Sequence, residues 1–262
     1  MSPDRVQAPF GRRSAPVTRR EQYGPYVVLH CEDRDGPRPE AGQFYMLTAA
    51  SRWGGGAAER PFLPRAFSVL RAPPGSRDLQ FLIEDVGPGT NRLCELDLGD
   101  ELLLVGPLGA GFRPPHDARL PLLVGGGVGI APLAIWQDQL GHPLAHALLG
   151  FRDAAHAEGR ALLSGAQVAT EDGSLGHHGL VTELLADQLG EVEVYACGPP
   201  PMLEAVRALC AEREVPAQLA LESGMACGFG ACMGCVVPTR DGYVRLCLDG
   251  PVVDAAQLEE VA

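Results

Sequence analysis

The chain has 262 residues, 46% of them apolar, and a formal net charge of −12. That length suggests one large domain or two ordinary ones with a small appendix, and the apolar share excludes a mostly disordered chain. The acidic balance argues against a nucleic-acid partner, whose phosphates need a basic face, and no apolar run approaches the ~18 residues of a membrane-spanning helix.

Residues 1–20 are locally basic, with Arg5, Arg12, Arg13, Arg19 and Arg20, and lack the apolar core of a secretory signal. We expect a disordered extension there and a cytoplasmic location. Short strand-like runs follow at 26–31, 44–48, 66–70, 79–84 and 101–105, parted by Pro-Gly, Gly-Pro and Asp-Gly turn signals. Regularly spaced short strands predict an antiparallel barrel or sandwich over 21–115. Near Pro121 the texture changes. Strand-like runs at 122–124, 144–151, 167–170, 192–197 and 218–221 alternate with helical stretches at 131–140, 180–189 and 201–212. In the second of these, Val181, Leu184, Leu185 and Leu189 share one face. Such alternation predicts a parallel α/β domain over 116–221. Residues 222–262 form a third, glycine- and cysteine-rich module.

Eight cysteines are present. Cys31, Cys94, Cys197 and Cys210 are scattered, whereas Cys227, Cys232, Cys235 and Cys247 crowd together, which reads as metal binding in a reducing compartment rather than disulfides. The spacing C-x4-C-x2-C with a distant fourth cysteine is that of a plant-type 2Fe–2S cluster. Gly228, Gly230 and Gly234 let the backbone wrap closely and aim N–H groups at sulfur. Structural zinc, which usually takes paired CxxC units, and plain buried cysteines are the alternatives.

Three further segments invite cofactors. Gly125-Gly126-Gly127-Val128-Gly129 follows a buried strand and opens a helix whose first turn suits Pro132, the context of a dinucleotide phosphate site, although a structural turn reads similarly. Cys197-Gly198 ends a later parallel strand, where Cys197 faces a nicotinamide or is simply a small buried residue. Arg65-Ala66-Phe67-Ser68 offers a forked phosphate donor, and Gly87-Pro88-Gly89-Thr90 offers amides at a helix start, or an ordinary turn with Thr90 as cap. After the second parallel strand, Asp153 is a ribose acceptor and Arg152 a 2′-phosphate donor, so these residues leave NAD against NADP open.

Taken in order, these segments resemble the ferredoxin–NADP reductase superfamily, and within it the electron-transfer subunits of class B dihydroorotate dehydrogenases. The run Glu222-Ser223-Gly224-Met225-Ala226-Cys227-Gly228 and the tail Cys247-Leu248-Asp249-Gly250-Pro251-Val252 carry most of the likeness. Two positions depart from the family pattern, Ala66 for its usual proline and Val253 for its usual phenylalanine. The resemblance implies an FAD barrel, an NAD(H) module and a 2Fe–2S module. It implies FAD contacts from Arg65, Ala66, Phe67, Ser68, Leu82, Ile83, Glu84, Gly89 and Thr90, nucleotide contacts from Gly125, Gly126, Gly127, Gly129, Cys197 and Gly198, and cluster ligation by the four clustered cysteines. It also implies an oxidoreductase of pyrimidine (UMP) biosynthesis whose substrate is oxidised on an FMN-containing catalytic subunit, in a heterotetramer of two copies of each chain. The rival readings are an NAD(P)H–ferredoxin oxidoreductase or sulfhydrogenase subunit and, in a different class, a zinc-binding interaction module.

Overall fold

The computed structural model describes residues 11–54, 61–141 and 145–259. Its first six strands are β1 (Arg13–Tyr23), β2 (Tyr26–Glu32), β3 (Phe44–Ala49), β4 (Arg65–Arg71), β5 (Asp78–Glu84) and β6 (Glu101–Leu108), with α1 (Pro88–Cys94) between the last two. They close an antiparallel barrel in the order β1-β2-β5-β4-β3-β6. Strand alternation decides which way each side chain points. Tyr45 and Leu47 of β3, Phe81 and Ile83 of β5, and Leu102 and Leu104 of β6 belong to the fully buried main core. Phe44 and Met46, one residue out of phase, join a separate cluster with Cys235, Leu246, Cys247 and Val253.

β1 corrects the expectation of disorder up to residue 20. The strand pairs with β2 on one side and with β6 on the other, so it is what closes the barrel. Its Ala15 and Val17 are buried, while Ser14 and Thr18 face outward. Arg13 is not a solvated charge. Its Nε and Nη2 fork onto Asp33 at 2.9 and 2.7 Å, and Nη2 also donates to the Gly106 carbonyl at 2.7 Å. The first ten residues, where the basic stretch begins, and Leu144 lie outside the described residues.

The second layer is a sheet flanked by helices. In chain order it holds β7 (Leu120–Gly126), α2 (Ile130–Leu140), β8 (His146–Phe151), β9 (Ala166–Thr170), β10 (His177–His178), α3 (Val181–Ala186), β11 (Val192–Cys197), α4 (Pro200–Glu212) and β12 (Ala217–Ala220). These strands run parallel, and the apolar triplet Leu122-Leu123-Val124 lies at the centre because both sheet faces are covered. Beyond them come the hairpin β13 (Val236–Thr239) and β14 (Gly242–Arg245), then β15 (Val252–Asp254). β15 adds antiparallel to β12, giving the order β10-β9-β8-β7-β11-β12-β15. The last strand of the sheet thus comes from the segment that the sequence reading sets apart from residue 222 on.

Candidate functional site: two joined clefts and a cysteine loop

The carboxyl ends of the central strands border a cleft of about 580 Å³, where open parallel sheets bind ligands. The glycines after β7 divide in role. Gly126, Gly127 and Gly129 line the cleft with Gly198, whereas Gly125 does not. A Cβ on Gly125 would lie 3.0–3.1 Å from Ile130, Leu133 and Leu149, so its smallness seats α2 on the sheet. A Cβ on Gly129 would meet the Cys197 carbonyl and stand 2.6 Å from the Gly198 nitrogen, so the turn after β7 nests on the turn after β11. Gly127, at φ +53°, is the glycine with open space before it, the nearest atom being the Tyr26 hydroxyl at 3.9 Å.

The charged wall of the cleft differs from expectation at one point. Arg152 lines it, with Nη2 3.2 Å from Glu84. Asp153 is turned away. Its Oδ1 accepts from the His156 backbone amide at 3.0 Å and sits 2.7 Å from His156 Nδ1, and these bonds hold its carboxyl below the ordinary value. Glu171, one residue past β9, lines the cleft along with Glu84 and Glu222, and sequence reasoning missed it. The available signal was an acid at the carboxyl end of a parallel strand, the end that also carries the glycine turn.

A second groove, about 330 Å³, runs between β4 and β5 of the barrel and the start of α2. Arg65, Ala66, Phe67, Ser68, Leu82, Glu84 and Thr90 line it, as does Cys197. Ile83 does not: alternation along β5 sends its side chain into the barrel core, leaving only backbone to offer. Gly89 is a seat rather than a wall, since a Cβ there would lie 2.8 Å from Arg65 Nε. Arg65 donates Nη1 to the Leu63 carbonyl at 2.8 Å, and its other guanidinium nitrogens have no partner among the described residues. Thr90 sits in the first turn of α1, which is capped at Gly87, and not at the cap itself. Its Oγ1 accepts from the Val86 and Gly87 amides at 2.9 and 3.0 Å. Burial, then the nearby Glu222 carboxylate, push the Cys197 thiol far above its ordinary value. Desolvation likewise raises the Glu222 carboxyl. Glu84, Val128, Gly129 and Glu222 border both cavities, so groove and cleft adjoin.

The cysteine loop lies beside this groove. Gly228 and Gly230 are left-handed at φ +79° and +84°, and Met233 is left-handed at +59°. A Cβ on Gly228 would lie 2.5 Å from Met46 Cγ, so the loop rests on barrel strand β3. Ser223, Met225 and Pro251 from the same module wall the groove alongside Phe44. Cys235 and Cys247 are buried, Cys227 is half-buried and Cys232 is exposed. Burial pushes the Cys227 thiol up, but the amides of Cys232, Phe229 and Ala231 outweigh it and hold the thiol down at about 6. Burial and the neighbouring Cys235 thiol push Cys247 up to about 12. Among the described residues no three His, Cys, Asp or Glu side chains converge tightly enough for a single ion. Three sulfurs along a glycine-bent loop and a fourth beyond the β13–β14 hairpin, with amides aimed at one of them, are the donor chemistry that an iron–sulfur cluster takes.

Residues 222–259 match the iron–sulfur cluster binding domain of dihydroorotate dehydrogenase B. The dihydroorotate dehydrogenase B (NAD(+)) electron transfer subunit of Caldanaerobacter subterraneus subsp. tengcongensis is 38% identical, across 85% of this chain and 88% of that protein. Its counterpart from Clostridium perfringens is 35% identical, across 84% and 87%. Among solved structures, an NADH-dependent reduced ferredoxin–NADP oxidoreductase matches at a TM-score of 0.77 and 23% identity, covering 94% of this chain and 90% of that one. A ferredoxin NADP+ reductase from Neisseria gonorrhoeae with bound FAD and NADP matches at 0.63 and 18%, covering 77% and 91%. At such identities the structures speak for the fold, a ferredoxin-reductase barrel and sheet, while the sequence relatives speak for descent. The chain belongs to the family of dihydroorotate dehydrogenase B electron transfer subunits.

Proposed function

We propose that this chain conducts electrons between NAD(H) in the larger cleft, FAD in the barrel groove and a 2Fe–2S cluster on Cys227, Cys232, Cys235 and Cys247. It does so for an FMN-containing subunit that oxidises dihydroorotate to orotate, in an assembly of two copies of each chain. The observation that carries the reading is that the sites adjoin. The two cavities share Glu84, Val128, Gly129 and Glu222, and the cysteine loop rests on Met46, next to the Phe44 that walls the groove. When bound, FAD exchanges hydride with nicotinamide and single electrons with the cluster.

The protein's own contribution is position and environment. Arg65 offers forked donors to the groove, where they would hold a diphosphate. Gly127 lets backbone approach the nucleotide pyrophosphate, and Gly129 keeps the two turns close enough for the cavities to meet. Glu84 holds Arg152 at 3.2 Å and His156 at 3.3 Å, tying the barrel to the sheet at the mouth of the cleft. No side chain is assigned as an acid or base. Family membership supports this reading over a ferredoxin oxidoreductase or sulfhydrogenase subunit, and the match over 222–259 supports iron over zinc.

The test is reconstitution. The chain alone should reduce ferricyanide with NADH but leave dihydroorotate untouched. Dihydroorotate-dependent NAD+ reduction should appear when the FMN subunit is added. Turnover of dihydroorotate by the isolated chain would reject the division of labour.

A further inference from the structure

We infer that Tyr26, a residue of the barrel, donates its hydroxyl hydrogen to the pyrophosphate of the nicotinamide nucleotide and so completes a phosphate site whose other half lies in the parallel sheet. The inference rests on the assignment of the larger cleft to the nucleotide. Tyr26 opens β2 and pairs with Glu84 of β5. It is 1% exposed, yet it reaches the lining of the cleft. Its hydroxyl faces the glycine turn after β7. A Cβ on Gly127 would find that hydroxyl at 3.9 Å and, its chain neighbours aside, no other atom within 4 Å. The open space before Gly127 is where backbone approaches a pyrophosphate.

Among the described residues the Tyr26 hydroxyl has no hydrogen-bond partner, although a tyrosine so deeply buried ordinarily finds one. Burial, then the Glu84 carboxylate, push its pKa up, so it stays protonated and able to donate. The ring is held in place. It packs edge-on against the His156 ring at 5.8 Å and 81°. A Cβ on Gly159 would lie 3.1–3.2 Å from two of its ring carbons, so the segment 156–162 is moulded over it. The charges around the cleft call for such a donor. Its walls carry the carboxyl groups of Glu84, Glu171 and Glu222 against the guanidinium of Arg152, which is drawn onto Glu84 at 3.2 Å. His156 is committed as well, with Nδ1 2.7 Å from Asp153 and Nε2 3.3 Å from Glu84. An anionic pyrophosphate is therefore best held by neutral donors, the amides at the start of α2 and the Tyr26 hydroxyl. Thr182 of α3, which also lines the cleft, is the rival neutral donor. Because Tyr26 belongs to the barrel, the bound nucleotide is gripped from both sides of the junction that its hydride must cross.

The test uses the full chain with its FAD and cluster, in parent, Tyr26→Phe and Thr182→Val forms. NADH and reduced nicotinamide riboside, which has no phosphate, serve as hydride donors with ferricyanide as acceptor, and ADP-ribose is titrated by calorimetry. Tyr26→Phe should raise the NADH KM and the ADP-ribose Kd by about tenfold or more, the worth of one hydrogen bond to a charged group. The NADH kcat and the riboside kcat/KM should stay within about twofold of the parent, because the hydroxyl touches no reacting atom. FAD content should match the parent, and Tm should match or exceed it, since the ring is kept and only an unpartnered hydroxyl is removed. Unchanged NADH KM and ADP-ribose affinity in Tyr26→Phe, an equal loss with the riboside, or a loss that follows Thr182→Val instead would overturn this inference and leave the cleft assignment standing. A parent chain inert toward NADH would overturn the cleft assignment and this inference with it.

Discussion

Replacing Gly129 by alanine should damage nucleotide use far more than replacing Gly125, although the two belong to one glycine run. Gly129 has ordinary right-handed backbone, φ −62° and ψ −9°, so alanine meets no conformational obstacle. The obstacle lies across the interlock, where a Cβ would stand 2.6 Å from both the Cys197 carbonyl carbon and the Gly198 nitrogen. Ordinary contact needs about 3.5 Å, so the two turns must part by about 1 Å. Both sides are backbone, and β7 and β11 are paired right up to Gly125 and Cys197, so neither turn yields freely. Overpacking of this kind costs about 1–3 kcal/mol, a Tm drop of about 2–12 °C at this chain length. The displaced turn also walls both cavities, and a 1 Å misplacement costs hydride transfer on the order of 100-fold. Gly125→Ala pushes only on side chains of Ile130, Leu133 and Leu149 at 3.0–3.1 Å, which shift by tenths of an ångström. Thermal unfolding and NADH–ferricyanide kcat/KM on both variants are the assay. Equal losses in the two variants, or a Gly129→Ala chain matching the parent in both measurements, would refute the interlock.

Three further outcomes are expected. Arg65→Ala should lower FAD occupancy on purification, since a forked phosphate contact is worth about 1.5–3 kcal/mol; acid-released flavin quantified by chromatography checks it, and full occupancy would remove Arg65 from the site. Arg13→Met should destabilise by about 3–5 kcal/mol, because it leaves the 4%-exposed Asp33 carboxylate without its buried partner; an unchanged urea midpoint would mean that β1 does not hold the barrel shut. Cys235→Ser should lose iron while retaining FAD, yet lower Tm, because Cys235 packs with Phe44 and Met46 of the barrel and an unpaired buried hydroxyl costs about 1–3 kcal/mol.

The sequence made the parallel sheet legible because its strands are short apolar runs, such as 122–124, ended by glycine or cysteine turns. The barrel was legible in five of its strands for the same reason, while β1 was not. Only Ala15 and Val17 mark its inner face, and its arginines read as a solvated tail until Asp33, twenty residues on in the chain, turns out to accept one of them. β15 was equally hidden. Its few residues earned notice as part of a motif, and only pairing with distant β12 makes them a strand. In the site, Arg65 to Ser68 and the four cysteines could be named from local spacing. Ile83, Gly89 and Gly125 were named with them because sequence neighbours share a motif, yet side-chain direction and packing take them off the walls. That Glu171 lines the cleft and Asp153 does not was beyond local reading altogether. The difference turns on the hydrogen bonds of Asp153 with His156 and on which strand ends lie beside the glycine turn, both set by the folded structure.

The most direct test is electron paramagnetic resonance on the anaerobically purified chain, before and after addition of NADH. The account predicts a silent oxidised protein that develops the signal of a reduced 2Fe–2S cluster as its FAD is reduced, from electrons entering at the nucleotide cleft and leaving through the groove to the cysteine loop. NADH oxidation with FAD reduced but no cluster signal, in a chain shown to contain iron and sulfide, would contradict the continuous path on which the account rests.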